Sequence, residues 1–545
     1  MERGTLVRLL AFLRPFAGQA ALSVLLGTAT AAAGIGLLGT SAYLIASAAL
    51  QPSVAALQVA IVGVRFFGIS RAAARYLERL VSHSVNFRLL AGLRTWFYRK
   101  IEPMAPARLQ GYQSADLLSR AVADIETLEN FYVRAVAPPV VALVTTLGVC
   151  LFVGRYDARL GLILLGTLLA AGIALPLLAY TLNKAPGQQA IERRAELNAA
   201  LLDLVQGMPD LLAYGQGPAQ AAHVHVAGER LTQTQRQSVR VGALVNALGL
   251  LISGLALWGV LLVGIPLVGS RFDGVALAVL ALVTMAAFET VTPLSQAAQH
   301  LESSLHAARR LFAVADAEPD VRVSEHPLPA PGTMDLKIRG LTFAYGTGLP
   351  FVLENFHLDL PPGKHAVITG ASGAGKTTLF NLLLRFWEFH QGQILLDGQD
   401  IRAYDPRDVR ARIALVAQRP YIFAGSLRYN LRLAQPGASE EQMIQALEAA
   451  QFGDVLARLP QGIDTQTGER GLQLSVGERR RLAVAQALLR EAELLLLDEP
   501  TEGLDAENEQ RMLAAIRQAS AGRSVLMITH RRVGFEDFDQ VIALH

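Results

Sequence analysis

Charge is scarce in this chain. Asp, Glu, Lys and Arg make up 17% of its 545 residues against 52% hydrophobic ones, a balance that excludes a disordered polar protein and points to a membrane segment. A single cysteine, Cys150, excludes an intrachain disulfide, and its apolar surroundings in the sequence read as a small buried hydrophobe rather than a reactive thiol. Met1-Glu2-Arg3-Gly4 lacks a short hydrophobic region with a small-residue cleavage site close behind it, so no removable signal peptide is expected. The formal net charge of +3 is too small to speak for or against nucleic acid.

Between Ala17 and Leu50 there is not one Asp, Glu, Lys or Arg, a run longer than the ~20 residues a membrane-spanning helix needs. A second apolar segment begins at Val54, after the turn Gln51-Pro52-Ser53, and four more cover 134–154, 158–182, 241–266 and 274–298. That makes six spans. Basic residues collect at the N-terminus and in the connections 84–133 and 183–240, which places these and both ends of the membrane half in the cytoplasm of a multi-pass membrane protein. Helical patterning in the long connections extends the spans beyond the bilayer. Four prolines, at 319, 327, 329 and 331, then break the pattern. The expected organisation is a transmembrane domain over 1–312, a linker over 313–334 and an α/β domain over 335–545.

The α/β half opens with an apolar run, Ala366-Val367-Ile368, then Gly370-Ala371-Ser372-Gly373-Ala374-Gly375-Lys376-Thr377, then a helical segment. This G-x-x-x-x-G-K-[ST] spacing lets backbone N–H groups and a helix N-terminus wrap a polyphosphate, with Lys376 on the β- and γ-phosphates and Thr377 on Mg²⁺. Downstream, Leu494-Leu495-Leu496-Leu497 leads into Asp498 and Glu499, a buried strand ending in one carboxylate for the metal and one aimed at water. His530 closes another apolar strand, within reach of a γ-phosphate.

In this order the motifs resemble those of the ATP-binding-cassette superfamily over nearly the whole chain, as a six-span type I exporter half followed by its nucleotide-binding domain. The resemblance implies ATP contacts from Tyr345, Gly370, Ser372, Gly373, Gly375, Lys376, Thr377 and Thr378, with Mg²⁺ held by Thr377, Gln418 and Asp498. It gives hydrolysis to Glu499 with His530, Gln418 and Lys376, and the D-loop to Asp505. Leu474-Ser475-Val476-Gly477-Glu478 stands where the signature L-S-G-G-Q belongs, which would approach ATP held by a second subunit through Ser475, Val476, Gly477 and Glu478. Val476 and Glu478 depart from it. A branched side chain and a carboxylate both oppose a phosphate, so one of two ATP sites is expected to be weak and the transporter to be a heterodimer.

Arg71, Arg75, Arg79 and His83 recur every four residues in the second span, on one helical stripe. The stripe reads either as anchoring at a cytoplasmic helix end or as a site for an anionic ligand. The run 75–83, with 117–128, resembles CydC-type subunits of heterodimeric CydDC exporters. That family implies a CydD-like partner half in the lipid bilayer of a bacterial inner membrane, export of cysteine or glutathione to the periplasm, and service to cytochrome bd assembly. It also offers haem b as a ligand, with His83 on the iron and Arg79 or Arg75 on a propionate. Haem b transport, or lipid or drug export by the same architecture, are the alternatives. No nucleic-acid partner is expected.

Overall fold

The computed structural model describes residues 2–112, 117–118, 120–346, 348–502, 506–530 and 538–544. Among the described residues six helical stretches are long and apolar enough to cross a membrane: Gly4–Ala48, Val54–Met104, Arg120–Gly154, Ala158–Gln206, Gly217–Leu267 and Gly274–Ala315, here spans one to six. Their turns follow from local chemistry. Asp157 caps span four by accepting the Arg159 N–H, and Asp273 caps span six by accepting the Ala276 N–H at 2.7 Å. Spans three and four close tightly because Gly161 has no side chain, since a Cβ there would lie 2.9 Å from the Gly154 Cα.

Span six is interrupted at Thr292-Pro293, between helices Gly274–Val291 and Leu294–Ala315, where proline supplies no N–H. The second helix carries an apolar face onto its neighbours through Ala308, Leu311 and Val314. It ends at Ala315, three residues past the expected boundary at 312.

Two compact units emerge, one of residues 1–101 and 113–317, the other of 102–112 and 318–545. The segment Glu102–Tyr112 was expected within the membrane half, yet it packs with the α/β unit. Met104 is 3% exposed, Ala107 joins the sheet core, and Arg108 pairs with Asp320 at 3.8 Å. Apolar burial, which sequence distance from the motifs conceals, explains the reassignment.

The α/β unit holds nine strands among the described residues: β1 Leu336–Phe343, β2 Leu353–Leu360, β3 His365–Gly370, β4 Gln391–Leu396, β5 Gln399–Asp400, β6 Ile413–Val416, β7 Leu494–Asp498, β8 Ser524–Ile528 and β9 Gln540–Leu544. An antiparallel sheet runs β2-β1-β4-β5 and a parallel one β6-β7-β8-β3-β9. Every residue of β7 is buried, as a parallel strand covered on both faces requires. In the parallel sheet Leu497 pairs with Met527 and Val367 also pairs with Met527, so the ends of β3, β7 and β8 converge on one edge. That edge carries the site.

Candidate functional site

β3 ends at Gly370 and a tight loop turns the chain into helix α1, Lys376–Leu383. Gly375 caps α1 with φ 88°, and a Cβ there would stand 2.5 Å from the Val352 carbonyl oxygen, so only glycine lets the loop close over the helix N-terminus. Ser372 and Gly373 lie exposed on the loop rim. Lys376 is buried, and its ammonium donates to the carbonyls of Gly370 and Ala371 at 2.8 Å each. The lysine is thus folded back along the loop's inner wall. Thr378 shares a hydrogen bond of 2.9 Å with the Tyr345 hydroxyl, while the Tyr345 ring packs edge-on against Phe343 and Trp387 and stays half exposed.

Across the same edge, β7 delivers two carboxylates. The Thr377 hydroxyl donates to Asp498 at 2.7 Å. Burial pushes the Asp498 carboxyl above the usual range, against the Thr377 hydrogen bond, and the neighbouring Glu499 charge adds to the rise. A buried carboxylate beside a hydroxyl and a second carboxylate is a donor set that a divalent cation relieves, and Mg²⁺ fits it. Glu499 adopts φ 51°, a strained conformation for a residue with a Cβ, and its N–H donates to the Ile528 carbonyl. Its carboxylate is held from two sides, by the Gln418 amide at 3.1 Å and by His530 Nδ1 at 2.8 Å. The structure therefore brings together Lys376, Thr377, Asp498, Glu499, Gln418 and His530. Asp505 lies outside the described residues.

Arg480 was not singled out from the sequence. It is 6% exposed, donates to the Gln418 carbonyl at 2.9 Å and pairs with Glu502 at the same distance. It holds the glutamine from behind. The run Arg479-Arg480-Arg481 after the signature was the available signal, with nothing in the sequence to mark its middle residue as the buried one.

That helix, α2, spans Val476–Leu489 and begins in a capping box. Ser475 Oγ accepts the Glu478 N–H at 3.2 Å, and Glu478 Oε2 accepts the Ser475 N–H at 2.7 Å. The carboxylate that departs from the signature is therefore occupied locally, at the positive end of its own helix. Val476 points outward, 63% exposed.

In the membrane unit, Arg75 lines a cleft of about 260 Å³ together with Arg71, Glu78 and Glu289. Arg79 and His83 are exposed and do not line it, and the His83 ring stands 6.1 Å from that of Phe87. Among the described residues no group of three or more His, Cys, Asp or Glu side chains converges to hold a metal.

Comparison with known proteins follows the same division. Residues 18–291 match the model described as ABC transporter transmembrane region, and 353–502 that described as ABC transporter. The chain is 34% identical over 96% of its length to the glutathione/L-cysteine transport system ATP-binding/permease protein CydC of Escherichia coli, covering 92% of that protein. It is 28% identical over 96% of its length to CydD of Bacillus subtilis, covering 91%, and 28% identical over 86% to the ATP-dependent lipid A-core flippase of Syntrophus aciditrophicus, covering 78%. Its fold matches a bacterial Atm1-family ABC exporter solved with ATP bound, with a TM-score of 0.83 at 24% identity over 98% of this chain and 94% of that one. A six-span membrane region and a phosphate-binding cassette on one polypeptide, both matched by family models, make this chain a member of the ABC transporter family, an export half with its own ATPase domain.

Proposed function

We propose that the chain is the CydC-type half of a heterodimeric exporter that moves glutathione or cysteine out across a bacterial inner membrane, in support of cytochrome bd assembly. The likeness to a glutathione/L-cysteine transport protein over 96% of the chain supports the substrate class. The relatives include both CydC and CydD proteins, which supports a partner half of the second type.

The observation that carries the mechanism is the clamped Glu499. Held by Gln418 and His530 at the end of β7, the carboxylate is aimed at one point, as a general base for an attacking water must be. In this reading Lys376 leaves the Gly370 and Ala371 carbonyls for the β- and γ-phosphates, and α1 turns its N-terminal amides to the same charge. Tyr345 offers its exposed ring to adenine. Mg²⁺ held by Thr377, Asp498 and Gln418 would neutralise charge between the phosphates. ATP binding closes two cassettes on each other, the long helical extensions carry that closure to the spans, and hydrolysis at Glu499 reverses it. The branch of Val476 and the negative charge of Glu478, where the signature has glycine and glutamine, make the site facing the partner's phosphate loop the slow one, which supports two unlike halves.

A second reading, lipid export, draws on a different observation. A cavity of about 640 Å³ lies among spans one, two, three and six, lined by Ile35, Phe67, Val149, Phe152 and Val283 among others, and it suits an acyl chain. Titrating the ATPase of the paired halves in lipid with glutathione, cysteine, haem and a lipid A-type glycolipid separates the readings. Stimulation by the thiols supports the proposal, and stimulation by the glycolipid alone replaces it.

A further inference from the structure

Arg71 and Glu289 lie 218 positions apart in sequence and meet at 3.3 Å, Nη2 to Oε2, where spans two and six face each other. Counted at 1.5 Å per residue, Arg71 stands about 26 Å from the start of span two at Val54 and Glu289 about 22 Å from Gly274. Gly34, on the opposite wall, stands about 21 Å from the end of span one at Ala48. These depths fall inside a hydrocarbon core of about 30 Å, where ionised side chains are costly and are kept for a purpose.

One purpose is bracing between spans. A bracing pair is buried and forked, with two parallel N–H···O bonds. This one is a single long contact, with Arg71 29% and Glu289 61% exposed in their side chains. Both open onto the cleft of about 260 Å³ that Arg75 and Glu78 also line. Gly34 keeps the cleft open, because a Cβ there would already touch the Arg71 guanidinium at 3.4 Å. The lining thus offers two guanidinium groups and two carboxylates, balanced in charge, around a space of roughly nine water volumes.

We propose that this cleft binds the zwitterionic end of an amino acid or short peptide, with Arg71 and Arg75 on the α-carboxylate and Glu78 and Glu289 on the α-ammonium. This rests on the reading of the chain as a cysteine and glutathione exporter and gives that reading a site. The space matches the size of one amino acid or a small peptide. Arg71 exchanges Glu289 for a ligand carboxylate, so loading the cleft loosens span two from span six. Substrate arrival is thereby coupled to movement between the two spans.

The test uses the full-length chain with its partner half in lipid nanodiscs, titrated with L-cysteine, glutathione, N-acetyl-L-cysteine and L-cysteine ethyl ester by calorimetry. The expected result is binding of the first two compounds and at least ten-fold weaker binding of the derivatives lacking an ammonium or a carboxylate. Arg71→Gln with Glu289→Gln removes both charges together and is expected to weaken cysteine binding at least ten-fold. Gly34→Val, which fills the cleft and leaves every charge in place, is expected to do the same and stands in if the double variant does not assemble. Unchanged cysteine binding in an assembled variant overturns the cleft while leaving the exporter reading intact. Failure of the unmodified complex to bind any of the four compounds overturns both.

Discussion

In the proposed heterodimer two carboxylates, Glu499 and Glu478, mark the difference between the two ATP sites. Glu499 is strained at φ 51° and clamped by Gln418 and His530, whereas Glu478 is spent on a cap. Glu499→Gln is expected to lower ATP hydrolysis of the paired complex by ~10²–10⁴-fold while nucleotide still binds, as judged by fluorescent-nucleotide titration. Glu478→Gln combined with Val476→Gly keeps the capping box, since glutamine serves there as well as glutamate, and removes the negative charge and the branch. The maximal ATPase rate should then rise, up to about double if the weak site reaches the turnover of the strong one. A rate that stays at the unmodified level would place the weakness elsewhere. The phosphate loop, Asp498 and Glu499 were legible in the sequence because their spacing is itself the chemistry. The Ser475–Glu478 cap was equally legible as S-x-x-E before a helix, but reading it as a departure from the signature hid it. Glu289 was not legible, because nothing in the local sequence records a partner 218 residues away.

At the scale of elements, β7 and the segment Glu102–Tyr112 do the positioning. β7 buries Asp498 as it delivers it, and the carboxyl ionises above its ordinary range for that reason. The raised value means that the proton-bound form stabilises the metal-free fold at low pH, and that this contribution is lost as pH rises through the raised value. Metal binding needs the ionised form. The Mg²⁺ concentration giving half-maximal ATPase is therefore expected to rise as pH falls toward the raised value, and a value independent of pH would contradict the assignment of Asp498 to the metal. Span two runs without interruption in the chain into Met104, which is buried in the α/β unit. Truncation at such a site costs about 2–5 kcal/mol of local packing. Met104→Ala is expected to reduce glutathione stimulation of the ATPase by more than half. The six spans and the alternating strands were readable from hydropathy and periodicity. The allegiance of 102–112 was not, since burial of Met104 and Ala107 depends on a surface more than 200 residues downstream.

For the whole molecule, one polypeptide supplies six spans, one phosphate loop with its candidate base, and one signature altered at Val476 and Glu478. In the proposed heterodimer such a chain takes the signature for its own phosphate loop from the second half. Its charged cleft suits a small zwitterion, while its apolar cavity lies among spans one, two, three and six. The most direct test of the account is ATP-dependent uptake of radiolabelled glutathione and cysteine into inside-out vesicles carrying the paired halves, compared with Glu499→Gln. Uptake that requires ATP and disappears in Glu499→Gln is the expected result. No uptake by the unmodified pair, or uptake that persists in Glu499→Gln, would contradict it.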